Sequence, residues 1–180
     1  DFFCANSLVI HGDQPIVIDP SANFTYLESL AAASAPFRVI NTHYHTDHRA
    51  LNHLFGNATF LAHQEDAPAL RSWEELQRRI DRDLESPYSQ WTRNMWQQMH
   101  IIETPVSVEL KDQDCLETDS HRIEIIHIPG HTPGHIALLI EDLGLLFTAD
   151  IDLTPFGPWY ANEVSSIDQF KASVQKIRQI

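Results

Sequence analysis

Cysteine is scarce in this 180-residue chain, with two in all, Cys4 and Cys115. Two thiols build no disulfide framework, and neither sits in the paired spacing of a thiolate metal site, so both are expected to be ordinary buried thiols. Basic residues are few as well. Twelve Lys and Arg stand against 25 Asp and Glu, for a net charge of −13, and no basic run could neutralise a row of phosphates, which argues against a nucleic-acid partner. The run of about 20 apolar residues needed to cross a bilayer is missing, as is the basic-then-apolar start of a secretory signal. No membrane association is therefore expected, and the chain reads as cytoplasmic. It opens at Asp1 and stops at Ile180 inside a helical pattern, so it reads as a processed or trimmed piece of something longer. There is no internal repeat and no low-complexity segment.

What is present is enough apolar residue, 43% of the chain, for one substantial core and a single domain over 1–180. Apolar and polar positions alternate through Ala5–Ile10, turn at His11-Gly12-Asp13 and resume at Ile16–Ile18, which predicts a β-hairpin ending at Asp19-Pro20. Phe24, Leu27, Leu30 and Ala31 are spaced for a short helix ending before Pro36, and Phe37–Ile40 returns as a strand. A short helix at Arg49–Phe55, a Gly56-Asn57 turn and a strand at Ala58–Ala62 repeat the unit. Such alternation predicts an α/β class. Residues 68–102 differ in composition and read as a helical insert: Trp73, Leu76, Ile80 and Leu84 share one helix face, Pro87 interrupts, and Gln90–Met99 carries Trp91, Met95, Trp96 and Met99 at helical spacing. That stripe serves either core packing or a cap over an active site whose aromatics contact substrate. Strands follow at Val106–Leu110, Arg122–Ile128, Ile136–Ile140 and Leu145–Thr148, and a helix at Ser166–Ile180.

The chemistry lies in three segments that each leave a strand. Asn41-Thr42-His43-Tyr44-His45-Thr46-Asp47-His48 places three imidazoles and a carboxylate within six residues. In extended chain His43 and His45 face one way and can meet one ion, while a turn at Asp47-His48 can direct that pair toward a second. Such ligands suit zinc, and iron and manganese accept them too. In Ile128-Pro129-Gly130-His131-Thr132-Pro133-Gly134-His135 the prolines and glycines fix a sharp loop that can hold His131 rigidly, with His135 a packed or surface residue. The third segment, Leu145-Leu146-Phe147-Thr148-Ala149-Asp150, is an apolar strand delivering a carboxylate at its end. The remaining histidines, His11, His53, His63, His100, His121 and His127, read as structural or solvated.

In this order the three segments resemble the metallo-β-lactamase superfamily, with its His-x-His-x-Asp-His signature, later Pro-Gly-His-Thr loop and strand-terminal Asp. The resemblance runs from the Asn6–Pro20 hairpin to Asp150. It implies an α/β (α+β) fold, the four-layer αββα sandwich with metals at one edge between the sheets. It further implies that His43, His45 and His131 bind a first metal, Asp47 and His48 a second, and that Asp150 bridges both. Two zinc ions would lower the pKa of a bridging water and polarise the substrate, with hydroxide as nucleophile and Asp47 orienting it or taking its proton. The family supplies a further histidine to the second metal, and no histidine follows His135. The resemblance thus implies a C-terminal truncation, with final strands and last ligand beyond residue 180; Asp152 matches no family ligand by spacing.

Asp150 stands where β-lactam-cleaving members use a cysteine, which places the chain beside glyoxalase II and the lactonases. The reading is a dinuclear zinc hydrolase of an ester, thioester, lactone or similar bond in a small molecule. Two alternatives stay open: a mononuclear iron enzyme resembling persulfide dioxygenases, and a non-catalytic metal-binding member of the fold. Trp159 and Tyr160, after Thr154–Pro158, either line the pocket or pack.

Overall fold

A computed structural model describes residues 5–33, 36–151 and 162–180 of the chain. Strands β1 (Leu8–Ile10) and β2 (Ile16–Ile18) form the expected antiparallel hairpin. β2, β3 (Arg38–Asn41), β4 (Thr59–His63) and β5 (Val106–Leu110) then run parallel, completing a five-stranded sheet in sequence order. Parallel neighbours require crossovers. These are α1 (Phe24–Ala31), the 3-10 turns at Thr46–His48 and Asn52–Phe55, and the helices between β4 and β5. A second, antiparallel sheet follows from β6 (Cys115–Glu117), β7 (Arg122–His127), β8 (Ile136–Ile140) and β9 (Leu145–Phe147).

The period-two pattern of the strands sorts their side chains into layers. Ile16, Ile18, Ile40 and Leu61 of the first sheet meet Ile123, Ile125, Ile136, Leu138 and Ile140 of the second in a core between the sheets. Val17, Val39, Phe60 and Ala62 point the other way, onto Leu27 of α1 and the helices beyond. On the far face of the second sheet, Ile126 and Ala137 are covered by Ile177 of α5 (Ile167–Ile177). Helix, sheet, sheet and helix are the four layers of the αββα sandwich.

The insert forms α2 (Ala67–Arg71), α3 (Trp73–Ile80) and α4 (Pro87–Gln98). α3 starts at Ser72, whose hydroxyl accepts from the Glu75 amide, with Glu74 and Glu75 in the first turn and Arg78 and Arg79 in the last, as the helix dipole favours. It stops at Ile80, so Leu84 lies outside the helix. Pro87 begins α4 instead of merely separating two helices: it occupies the first turn, where a missing amide costs nothing, behind the Ser86 cap. Arg49, fully buried, ties the insert to the core by donating to the carbonyls of Leu70 at 3.2 Å and Ile102 at 3.1 Å. Its guanidinium sits 5.4 Å from the Trp73 ring, which stacks on Trp96. Burial pulls Arg49 down to about 9, which leaves it charged at neutral pH.

Other expectations are corrected. Arg49–Phe55 is helical only as a 3-10 turn over Asn52–Phe55, because His48 and Arg49 are held inward by side-chain bonds. β6 was not foreseen; its three residues carry only one half-buried side chain, too little for a periodic signal. Cys115 is exposed, not buried, because β6 is the edge of its sheet, and its sulfur contacts Arg122 at 2.6 Å. Cys4, Asp152, Trp159 and Tyr160 lie outside the described residues.

Candidate metal centre

β3 delivers the first cluster. Its last residue, Asn41, is buried and cross-bonded to Asn52, whose amide also donates to Thr104. The chain beyond it is thereby fixed as it leaves the sheet. Nε2 of His43, Nδ1 of His45 and Nε2 of His131 then converge, with separations of 2.9 Å (His43 to His45), 2.9 Å (His131 to His45) and 3.2 Å (His131 to His43). The three rings stand nearly perpendicular to one another. Nitrogens bound to one tetrahedral zinc at its usual bond length lie about 3.3 Å apart, so the triangle has the dimensions of a ligand set. An Asp150 oxygen closes it, 3.0 Å from His131 Nε2 and 3.9 Å from His43 Nε2. These four residues form a group able to hold a metal ion.

The other Asp150 oxygen lies 2.7 Å from His48 Nε2 without hydrogen-bond geometry, and Asp47 Oδ2 is 3.8 Å from the same nitrogen. Asp150 therefore stands between the histidine triangle and His48, and Asp47 flanks His48 with its side chain 44% exposed. All six residues expected from the sequence are brought to one place.

Asp19, at the end of β2, was read from the sequence only as the close of a hairpin. Buried, with its backbone in the left-handed region at φ 47°, it accepts from the Thr42 amide at 2.8 Å, the Thr42 hydroxyl at 2.6 Å and His48 Nδ1 at 2.8 Å. The Thr42 hydroxyl has one proton, and it goes to Asp19, so Thr42 Oγ1 must accept from Nδ1 of His43, 3.1 Å away. Both histidines therefore carry a proton on Nδ1 and turn Nε2 inward, an assignment inferred from the network. Asp66, also missed, accepts from Thr132 at 2.6 Å, the Gly134 amide at 2.8 Å and Arg79 at 3.2 Å. It braces the His131 loop from α2's side. Ser165 and Ser173, next to and on α5, donate to the carbonyls of His131 and Pro129 and brace it from the other.

For His43 and His45 the electrostatics favour the same arrangement. Burial, reinforced by neighbouring histidines, pushes His43 and His45 well below the usual imidazole range, keeping them neutral as ligands must be. Burial also pulls on His48, but the Asp19 and Asp150 carboxylates outweigh it and hold His48 well above that range, so an ion binding there must displace a proton from Nε2. Asp150 is raised by burial and lowered far more by His131 and His48, so it stays ionised. His135 is buried, and among the described residues neither of its ring nitrogens has a hydrogen-bond partner; its ring lies 5.0 Å from that of His43. It is the packed residue expected. His63 and His127 stack on each other 4.0 Å apart, away from the centre.

A cavity of about 280 Å³ opens beside His45, Asp47 and Asp150, and α3 and α4 form its far wall. Among the described residues no helix is long and apolar enough to cross a membrane.

The sequence profile of the metallo-beta-lactamase superfamily matches residues 1–178. Among curated proteins, the chain is 26% identical over 200 residues to the acyl-coenzyme A thioesterase MBLAC2 of Gallus gallus, covering 98% of this chain and 67% of that protein. It is 39% identical over 41 residues to the hydroxyacylglutathione hydrolase GloC of Haemophilus influenzae, covering 23% of this chain and 19% of GloC. Much of each relative thus lies outside the matched stretch. The fold is similar to that of TTHA1623 in a di-iron-bound form, with a TM-score of 0.70 at 20% identity, covering 98% of this chain and 82% of that one. With the profile matched almost end to end and the motif residues gathered at one edge of an αββα sandwich, the chain belongs to the metallo-beta-lactamase superfamily.

Proposed function

We propose that this chain is a metal-dependent hydrolase that cleaves an ester, thioester, lactone or similar bond in a small molecule, and that it works with two zinc ions. His43, His45 and His131 would hold the first ion, Asp47 and His48 the second, and Asp150 would lie between them. The observation that carries this reading is the pair of Asp150 oxygens, one against the histidine triangle and one against His48. This placement supports a second ion beside the first. When bound, such ions supply Lewis acidity toward the scissile carbonyl and lower the pKa of water.

The chain's own residues do the rest. Asp47, partly exposed on the cavity side, is placed to orient the attacking water and take its proton. Asp19 and Thr42 keep His48 and His43 in the tautomers that leave Nε2 available. The Asn162 amide contacts both His45 Nε2 and the Tyr44 hydroxyl and holds the His45 ring in place. The helical wall limits water around the reacting bond. The net charge of −13 supports a small molecule over a nucleic acid as substrate.

Elemental analysis of protein purified without added metal tests the reading, followed by an ester, thioester and lactone screen. Near two zinc per chain, with turnover that drops at least a hundredfold in Asp47→Asn together with loss of the second ion, is the expected result. One iron per chain moves the chemistry toward oxidation, and no metal at all overturns the proposal.

A further inference from the structure

The aromatic and Met stripe of the insert divides between two tasks. Trp96 is buried and stacked on Trp73, with Arg49 behind, which makes a rigid backing. In front of it, Leu76 and Ile80 of α3 and Trp91 and Met95 of α4 line the same cavity that reaches His45, Asp47 and Asp150. One end of this space is therefore polar and acidic, and the other is apolar. No Lys or Arg is found among the described residues that line it, so an anionic group placed against the α3–α4 wall, away from the proposed ions, would meet no cationic side chain. Tyr88 and Trp91, 50% and 55% exposed, stack on each other at 6.0 Å beside this space. Two large aromatics this exposed on one helix, next to a cavity, are apolar surface that a bound ligand would cover.

Resting on the hydrolase reading above, we propose that the α3–α4 wall is an acyl subsite, and that the substrate carries an uncharged apolar acyl or aryl group there while its scissile carbonyl sits at the acidic end. The cavity of about 280 Å³ is near the low end of small-molecule pockets, which suits a medium-length acyl chain or a single ring. Anionic parts of the substrate lie away from the α3–α4 wall.

The holoprotein is titrated with n-octanol by isothermal titration calorimetry, and kcat/KM is measured on p-nitrophenyl esters from acetate to laurate. Expected are octanol binding that weakens at least fivefold in Trp91→Ala, an exposed position where folding is not at stake, and kcat/KM that rises at least tenfold from acetate to the octanoate. Met95→Trp, which fills the space, should move the optimum to shorter esters. A flat chain-length profile with no octanol binding overturns the subsite. Octanol binding that depends on Trp91, with no ester turned over, upholds the subsite and overturns the hydrolase reading instead.

Discussion

The carboxylate of Asp19 sets the proton on His48 directly and on His43 through the Thr42 hydroxyl. Asp19→Asn replaces an acceptor with a group that also donates, so one of these bonds is lost and a tautomer is freed. Zinc affinity should fall about 10- to 100-fold, the usual loss when the partner of a ligating histidine is removed, as read by competition with a chromophoric chelator. Far-UV circular dichroism should be unchanged. His63 offers a test of pH dependence away from the centre. Burial and then the stacked His127 push it down to about 4, against the opposing pull of Asp112 and Asp114. Above the ordinary histidine value neither folded nor unfolded chain binds a proton there. As pH falls from that value toward 4, the unfolded chain takes up a proton that the folded chain refuses, so stability drops across this window. Urea midpoints measured from pH 7 to 4.5 should fall less steeply in His63→Gln than in the wild-type protein. His43, His45, Asp47 and His48 were legible from their density after a strand, whereas His131 and Asp150 were placed mainly by the order of motifs that carries the family resemblance. Asp19 and Asp66 were not, since a single Asp before Pro20, or one in Gln64-Glu65-Asp66, looks like any turn or surface acid.

At the level of elements, the His131 loop depends on two close approaches. A Cβ on Gly134 would lie 2.6 Å from the Asp66 amide nitrogen, and one on Gly130 would lie 2.2 Å from that of Phe170, where α5 begins. Gly130 also has φ of +132°, a conformation side chains disfavour. Gly130→Ala should therefore cost about 2–4 kcal/mol in urea unfolding and reduce zinc uptake, because the loop that holds His131 must shift. The strands and helices were largely legible from their periods. The exceptions follow from local chemistry that competes with periodicity: a Ser86 cap made Pro87 a helix start, and a three-residue edge strand, β6, offers too few positions for any period to register.

Across the whole molecule, the ligand candidates come from both sheets: His43, His45, Asp47 and His48 after β3 of the first, His131 after β7 and Asp150 after β9 of the second. An ion held there would pin the two sheets at one edge, and binding to the folded state alone would raise stability. Zinc at a hundredfold excess over its Kd should add about 2.7 kcal/mol, seen as a rise in Tm that a chelator reverses. The four-layer arrangement was legible through the family resemblance, whereas the strand sorting between the two cores shows only in register. The insert, in contrast, leaves and rejoins the body at nearly one point. Leu70 and Ile102 share the Arg49 side chain, and Thr104 donates to the Leu70 carbonyl at 2.7 Å. A segment closed at its base in this way is an exchangeable cassette: provided Arg79 of α3 keeps its bond to Asp66 behind the His131 loop, lengthening, shortening or grafting the rest of α3 and α4 should leave the metal ligands where they are, so selectivity can be redesigned without relearning the chemistry.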